Sequence, residues 1–181
     1  MSRLAFITGA SSGIGQALAA RFHADGYRLA LVARRTAEMH AWASQHGLKN
    51  DRYQVYGADV AEADSIVAAG LACMDTQGVP DVVIANAGIS IGMDTSVRAD
   101  LAVMTRLFAT NNVGMAATFH PFIDAMVQRG NGTLVGIGSV AGIRGLPGHG
   151  AYCASKAAVI AYCESLRGEL RPSGVKVVTL C

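Results

Sequence analysis

The chain has 181 residues, 51% of them hydrophobic and 15% charged, with a formal net charge of +2 at neutral pH. This composition excludes whole-chain disorder and suits one domain built on a sheet covered by helices on both faces, whose central strands are nearly all apolar. The small net charge and the scattered arginines exclude a nucleic-acid footprint.

The first apolar run, residues 4–7, leads into Thr8-Gly9-Ala10-Ser11-Ser12-Gly13-Ile14-Gly15, after which apolar positions recur at helical spacing over residues 17–22. The segment reads as strand, tight turn and helix. Glycine at 9, 13 and 15 removes the Cβ atoms that would hold a phosphate away from the backbone, and a helix N-terminus offers free N–H groups and the positive end of its dipole. Gly9, Ser11, Ser12, Gly13, Ile14 and Gly15 are therefore candidates for holding a pyrophosphate. A glycine-rich turn without ligand is the plainer alternative. The Gly-x-x-x-Gly-x-Gly spacing differs from the Gly-x-Gly-x-x-Gly of many dinucleotide folds and lacks the lysine of a triphosphate loop.

The second strand, residues 28–32, runs into Ala33-Arg34-Arg35. In a dinucleotide fold an acidic side chain about 20 residues past the glycines accepts from the ribose of NAD. Arg34 and Arg35 occupy that place here, and a guanidinium suits a 2′-phosphate through charge-assisted, often bidentate bonds. NADP(H) is therefore the expected cofactor ahead of NAD(H), by a margin on the order of ten- to a hundred-fold. The alternative is that both arginines are solvated residues opening the next helix.

The third strand, residues 53–56, precedes Ala58-Asp59-Val60. Asp59 either accepts from an adenine amino group or caps the following helix; Asp59 and Val60 are carried as cofactor-binding candidates. After the fourth strand, residues 81–85, comes Asn86-Ala87-Gly88, where small residues let the backbone approach a cofactor and an asparagine can brace adjacent strands. A purely structural turn fits the same residues. A helical stretch over 105–126 carries Asn111-Asn112-Val113-Gly114, the fifth strand over 133–138 ends at Ser139, a helix over 152–170 opens on Tyr152-Cys153-Ala154-Ser155-Lys156, and the sixth strand covers 175–180.

Six strands alternating with helices imply βαβ units, and right-handed crossovers give a Rossmann-like doubly wound parallel sheet in three αβα layers, with ligands at the carboxyl ends of the strands. No linker divides the chain, so residues 1–181 are expected to form a single dinucleotide-binding and catalytic domain. Its sixth strand would leave an apolar edge uncovered, which predicts a missing C-terminal part or a partner on that edge. The cysteines at 73, 153, 163 and 181 have no C-x-x-C or metal-ligand spacing, so neither a disulfide nor a metal is expected. Without a signal-peptide apolar region or a run near the roughly 18 residues of a membrane span, a cytoplasmic location and no membrane partner are expected.

Tyr152 and Lys156 are four residues apart, which places them one turn apart on one helix face. A phenol ordinarily keeps its proton to about pH 10, and bringing that to about 7 takes roughly 4 kcal/mol of preferential phenolate stabilisation, the kind of effect an ammonium has in a partly desolvated cleft. Tyr152 is thus a candidate proton donor to a carbonyl oxygen, or acceptor from an alcohol. Ser139, at the same edge of the sheet, is a candidate to hold that oxygen. Singly, a Tyr/Lys pair is surface decoration and a serine after a strand is a turn residue; the conjunction with the glycine loop gives them chemical meaning. His149 and Cys153 beside them read as a loop residue and a small buried residue, and His120 as helix packing.

In these motifs, T-G-x-x-x-G-x-G at Thr8 to Gly15, N-A-G at Asn86 to Gly88 and Y-x-x-x-K at Tyr152 to Lys156, the chain resembles the short-chain dehydrogenase/reductase family. The Ser139-to-Tyr152 spacing also fits. The resemblance implies catalytic roles for Ser139, Tyr152, Lys156 and Asn111. Asn111 is placed by its N-x-x-G context, with Asn112 as the alternative register, and would hold a water that continues the proton relay from Lys156. Tyr152 and Lys156 are implied cofactor-binding residues as well, with Lys156 bonding the nicotinamide ribose. It further implies an NADP(H)-dependent oxidoreductase acting on a small-molecule secondary alcohol or ketone, and a homodimer or homotetramer through the helices over 105–126 and 152–170. Family members continue past the sixth strand with a Pro-Gly turn, a substrate loop and a seventh strand, which this sequence lacks; a catalytically inactive, NADP(H)-binding fragment is the alternative reading.

Overall fold

A computed structural model describes residues 2–181. In chain order the elements are β1 (Leu4–Thr8), α1 (Gly13–Ala24), β2 (Arg28–Ala33), α2 (Thr36–Gln45), β3 (Tyr53–Gly57), α3 (Ala63–Gln77), β4 (Val82–Ala85), α4 (Leu101–Phe108), α5 (Gly114–Arg129), β5 (Gly132–Ile137), α6 (Gly150–Leu170) and β6 (Val175–Leu180). A π turn, Ala109–Val113, joins α4 to α5, and a short 3-10 turn, Val140–Gly142, follows β5.

All six strands are parallel and lie in the order β3-β2-β1-β4-β5-β6. Side chains of a strand alternate between the two faces of its sheet. Leu4 and Phe6 of β1 therefore join one core with Ile66 of α3, Phe119 and Phe122 of α5 and Val159 of α6. Ala5 and Ile7 join the other with Ala19 of α1 and Met39 and Trp42 of α2. All five residues of β1 are buried, which explains why its sequence is an unbroken apolar run instead of an alternating one. On edge strand β6 the inward Val175 and Val177 are buried, whereas Lys176, Val178 and Leu180 are exposed.

The strand order reverses between β1 and β4, and the carboxyl ends of these two strands open the crevice where doubly wound sheets hold ligands. Thr8, at the end of β1, pairs with Val32, and Ile7 with Ile84. Every motif singled out by sequence lies at that edge or on the helices leading from it.

The six strands expected from sequence are the six found among the described residues, with shifted ends. β2 and β3 each run one residue further, to Ala33 and Gly57. β4 starts at Val82, and just before it the Asp81 carboxylate accepts from the Leu4 backbone N–H at 2.7 Å while the Asp81 main chain bonds Leu4 and Thr133. The single helical stretch expected over 105–126 is two helices joined by the π turn, and His120, expected in packing, is exposed. Among the described residues no helix is long and apolar enough to cross a membrane.

Candidate active site

A cleft of about 510 Å³ runs along the carboxyl edge, with Ser11, Gly13 and Ile14 at its glycine loop, Arg34 and Asp59 beyond β2 and β3, and Asn86 to Ile89 beyond β4. Of the cofactor candidates, Gly9, Ser11, Ser12, Gly13, Ile14, Arg34, Arg35, Asp59, Val60, Asn86, Ala87 and Gly88 all line it.

The three glycines of the loop serve different purposes. Gly9 has φ +65°, and a Cβ there would stand 2.8 Å from the Ala87 Cα, so glycine lets the β1 and β4 loops approach each other. Gly13 has φ +51° and open space where its Cβ would be, which leaves the backbone free to meet an anion at the start of α1. Gly15 does not line the cleft: it lies buried beneath the loop, where a Cβ would drive into the Gly9 carbonyl oxygen. Its service to the site is packing.

Asn86 holds the crevice together, its Nδ2 donating to the carbonyls of Thr8 at 3.0 Å and Gly9 at 3.3 Å. The Thr8 hydroxyl accepts from the Ala87 N–H at 3.1 Å. Bracing of strands and lining of the cleft therefore coexist in the Asn-Ala-Gly segment.

Arg34 reaches Asp59, with Nη1 at 3.5 Å from Oδ2, and Arg35 reaches Glu38 at 3.1 Å. Arg35 stands at the N-cap of α2 and Arg34 just before it. Asp59 does not cap α3, whose N-cap is Glu62; its Oδ1 accepts from the Ala61 N–H at 3.0 Å and closes a tight turn two residues ahead of the cap position.

Deeper in, Lys156 is only 6% exposed. Its Nζ donates to the Ile137 carbonyl at 2.7 Å and lies 5.9 Å from the centroid of the Tyr152 ring. Burial lowers the pKa of this ammonium, and the opposing effect of charge at Cys181 is the smaller one. A Cβ on Gly88 would stand 3.3 Å from Asn111 Oδ1 and 3.6 Å from Lys156 Nζ, so the inner end of the cleft, Asn111 and Lys156 meet at one point. Ser139 caps the 3-10 turn, its Oγ accepting from the Ala141 N–H at 3.1 Å. At the other end of that turn a Cβ on Gly142 would stand 2.8 Å from the Lys156 carbonyl oxygen, which seats the turn directly on α6.

Asn111 is 2% exposed within the π turn, and both ends of its amide are engaged. Oδ1 accepts from the Ile89 N–H at 2.9 Å, and Nδ2 donates to the Ile89 carbonyl and to Ser155 Oγ, each at 3.0 Å. Asn112 Nδ2 donates to the Ser155 carbonyl at 2.8 Å, and the Ser155 hydroxyl in turn donates to the Tyr152 carbonyl at 2.8 Å. The two asparagines thus grip the helical turn between Tyr152 and Lys156.

Sequence reasoning did not find Ala58, Ile89, Arg106 and Thr110, which also line the cleft. A signal existed for two of them. Residues 106, 110 and 114 share a helix face by their spacing, and Gly114 packs so tightly on the Val60 carbonyl that no Cβ fits, which turns that face toward the cleft.

A family model described as short chain dehydrogenase matches residues 3–181. The chain is 35% identical over 185 residues to 2-(R)-hydroxypropyl-CoM dehydrogenase of Xanthobacter autotrophicus, covering 100% of this chain and 74% of that protein. Its fold superposes with a TM-score of 0.90 on a metagenomic short-chain oxidoreductase solved in complex with NADP, at 28% identity over 99% of this chain and 81% of that one. A short chain dehydrogenase/reductase from Burkholderia phymatum in complex with NAD superposes with a TM-score of 0.89, at 28% identity over 99% of this chain and 65% of that one. The chain thus spans between 65% and 81% of the length of these proteins. By the family match over nearly its whole length and by these likenesses, the chain belongs to the short chain dehydrogenase family of oxidoreductases.

Proposed function

We propose that this site serves NADP(H)-dependent hydride transfer between a nicotinamide and a secondary alcohol or ketone of small-molecule size. The observation that carries the reading is the meeting of Lys156 Nζ and Asn111 with Gly88 at the inner end of the cleft, one helical turn from Tyr152. The cleft suits the dinucleotide: Gly13 leaves the backbone uncovered where the cleft meets the N-terminus of α1, and Arg34 and Arg35 lie where a 2′-phosphate would come. Ser11 to Gly13 would hold the pyrophosphate, Ala58 to Val60 the adenosine end, and Asn86 to Gly88 with Lys156 the nicotinamide end. Held there, a nicotinamide would supply the hydride chemistry at the substrate carbon, as donor to a ketone or acceptor from an alcohol.

The chain's residues handle the proton. The Ser139 hydroxyl holds the substrate oxygen, and the Tyr152 phenol gives its proton to that oxygen in reduction or receives it in oxidation. The Lys156 ammonium stabilises the phenolate, and its burial strengthens the effect by removing competing water. Asn111 and Asn112 fix the turn that carries both groups. Exposed Leu101 and Met104 on α4 and Tyr162 on α6, two helices that pack together, support self-association as a homodimer or homotetramer.

Tyr152→Phe is the test. It is expected to abolish NADPH-dependent carbonyl reduction while leaving NADPH affinity, followed by nucleotide fluorescence, nearly unchanged. Full activity in the variant would overturn the mechanism. Tight NADPH binding with no carbonyl reduced by the unsubstituted chain across a broad panel would replace it with a binding module.

A further inference from the structure

We infer that Asp59 sets the cofactor preference of this site by holding Arg34, so that the cleft takes NADP(H) and NAD(H) with a narrow margin for the phosphorylated form. The inference rests on the cofactor assignment made above and sharpens it.

β2 and β3 are neighbours whose last paired residues are Ala33 and Gly57. Arg34 and Asp59 follow these residues, so strand register brings a cation and an anion to the adenosine end of one cleft, where they stand 3.5 Å apart. The two sides of the pair are unequal. Asp59 is anchored to the main chain, with Oδ1 accepting from the Ala61 N–H at 3.0 Å and its own N–H donating to Ser65 Oγ at 3.3 Å. The Arg34 side chain is 71% exposed, so it is the mobile arm that comes to a fixed carboxylate. Arg35, the other candidate for a 2′-phosphate, faces Glu38 in the same manner. Arg106 is the third guanidinium of the cleft and makes no ion pair among the described residues, but it stands on the opposite, α4 wall.

A 2′-phosphate drawn to Arg34 therefore enters the field of Asp59 as well, and a dianion gains less from a cation whose charge is already met. An unphosphorylated ribose feels neither effect. In water-like surroundings a carboxylate some 7 Å from a dianion weakens binding by a factor of about three to ten. Set against the ten- to hundred-fold that the two arginines alone imply, the margin for the phosphorylated cofactor should thus fall to between parity and about thirty-fold.

Binding of 2′,5′-ADP and 5′-AMP, measured by calorimetry on the full chain, reads this without catalysis. Asp59→Asn keeps the acceptor for Ala61 and should raise the affinity for 2′,5′-ADP relative to that for 5′-AMP about three- to ten-fold, whatever the substitution does to the adenosine part that both fragments share. In an Arg34→Met background the same substitution should give a smaller gain, because the cation that Asp59 holds is gone. An unchanged ratio of the two affinities in Asp59→Asn overturns the inference. Equal weakening of both ligands overturns it too, and makes Asp59 an adenine contact. Failure of the unsubstituted chain to bind either fragment brings down this inference together with the cofactor assignment. Normal fragment binding by a chain whose Tyr152→Phe variant stays active brings down only the proton mechanism.

Discussion

Alanine at Gly13 and alanine at Gly15 should fail for different reasons although the two glycines lie two residues apart in one loop. At Gly13, φ is +51° and nothing lies within 4 Å of an added Cβ, so folding bears only the left-handed backbone penalty, roughly 1–2 kcal/mol. For a domain of this size that is a fall in Tm of about 2–8 °C. On the proposed reading the new methyl stands instead where an anion would approach the backbone. Loss of one hydrogen bond to a charged group, about 1.5–3 kcal/mol, weakens NADPH binding roughly ten- to a hundred-fold. At Gly15 the Cβ would run into the Gly9 carbonyl oxygen and stand 2.8 Å from Asn86 Nδ2. A backbone oxygen cannot rotate aside as a flexible side chain can, so the loop, the Asn86 brace or both must shift, at an overpacking cost of about 1–3 kcal/mol or more. Thermal unfolding without nucleotide, followed by circular dichroism, should therefore show Gly15→Ala as the less stable variant. Fluorescence titration with NADPH at 25 °C should show Gly13→Ala folded and deficient in binding. Wild-type NADPH affinity in Gly13→Ala would refute the phosphate cradle, and a wild-type Tm in Gly15→Ala would refute the packing argument.

Lys156 supports a second expectation, in which function and stability part. Burial lowers its pKa below the usual 10.5, so the folded state bears the cost of a buried charge at neutral pH, and that cost is relieved as pH rises through the folded pKa toward the unfolded one. Lys156→Met loses the bond to the Ile137 carbonyl but also sheds the charge; it should match or exceed the parent in Tm at pH 7, lose that advantage toward pH 10.5, and have no turnover. A large drop in Tm at pH 7 would count against this balance. A third expectation concerns Tyr56 and Cys73, neighbours between β3 and α3, each pushed up to about 12 chiefly by burial. Both pKa values rise on folding, so the stability they contribute is complete below about pH 9 and is lost as pH climbs to 12, at about 1.4 kcal/mol per pH unit for each group that has begun to titrate. Urea midpoints measured from pH 8 to 11 should fall accordingly, and Cys73→Ala should flatten the slope; a midpoint independent of pH would refute it.

Much of this fold was legible because a parallel sheet buried on both faces writes its strands as apolar runs. Residues 4–8 announce β1, and all five are buried. Strand ends were less legible, because they depend on which neighbour claims the last backbone group. Asp81 borders the fourth apolar run and its main chain bonds Leu4 and Thr133, yet its carboxylate also takes the Leu4 N–H and β4 starts one residue later. The π turn was not read from the sequence: the phase shift of about 100° that an extra residue puts into apolar spacing is hard to see in a stretch with so many small and apolar residues. The turn's role shows only in the bonds of Asn111 and Asn112 to Ser155.

The motifs told which residues reach the crevice, and the cleft lining agrees for every cofactor candidate except Gly15, Tyr152 and Lys156. They did not tell how the charges there combine. Asp59 read as an adenine contact or a helix cap, and Arg34 as a phosphate ligand or a solvated residue, because each was weighed alone. The pairing of β2 with β3 sets the two side by side, so each becomes part of the other's electrostatic environment. The same holds at the inner end of the cleft. Lys156 follows Tyr152 by one turn in the sequence, but its burial and its neighbours come from β5, from the turn after Ser139 and from the π turn. A local motif can supply a phenol and an ammonium, but only the sheet edge decides how much water they share, and with it how strongly one acts on the other.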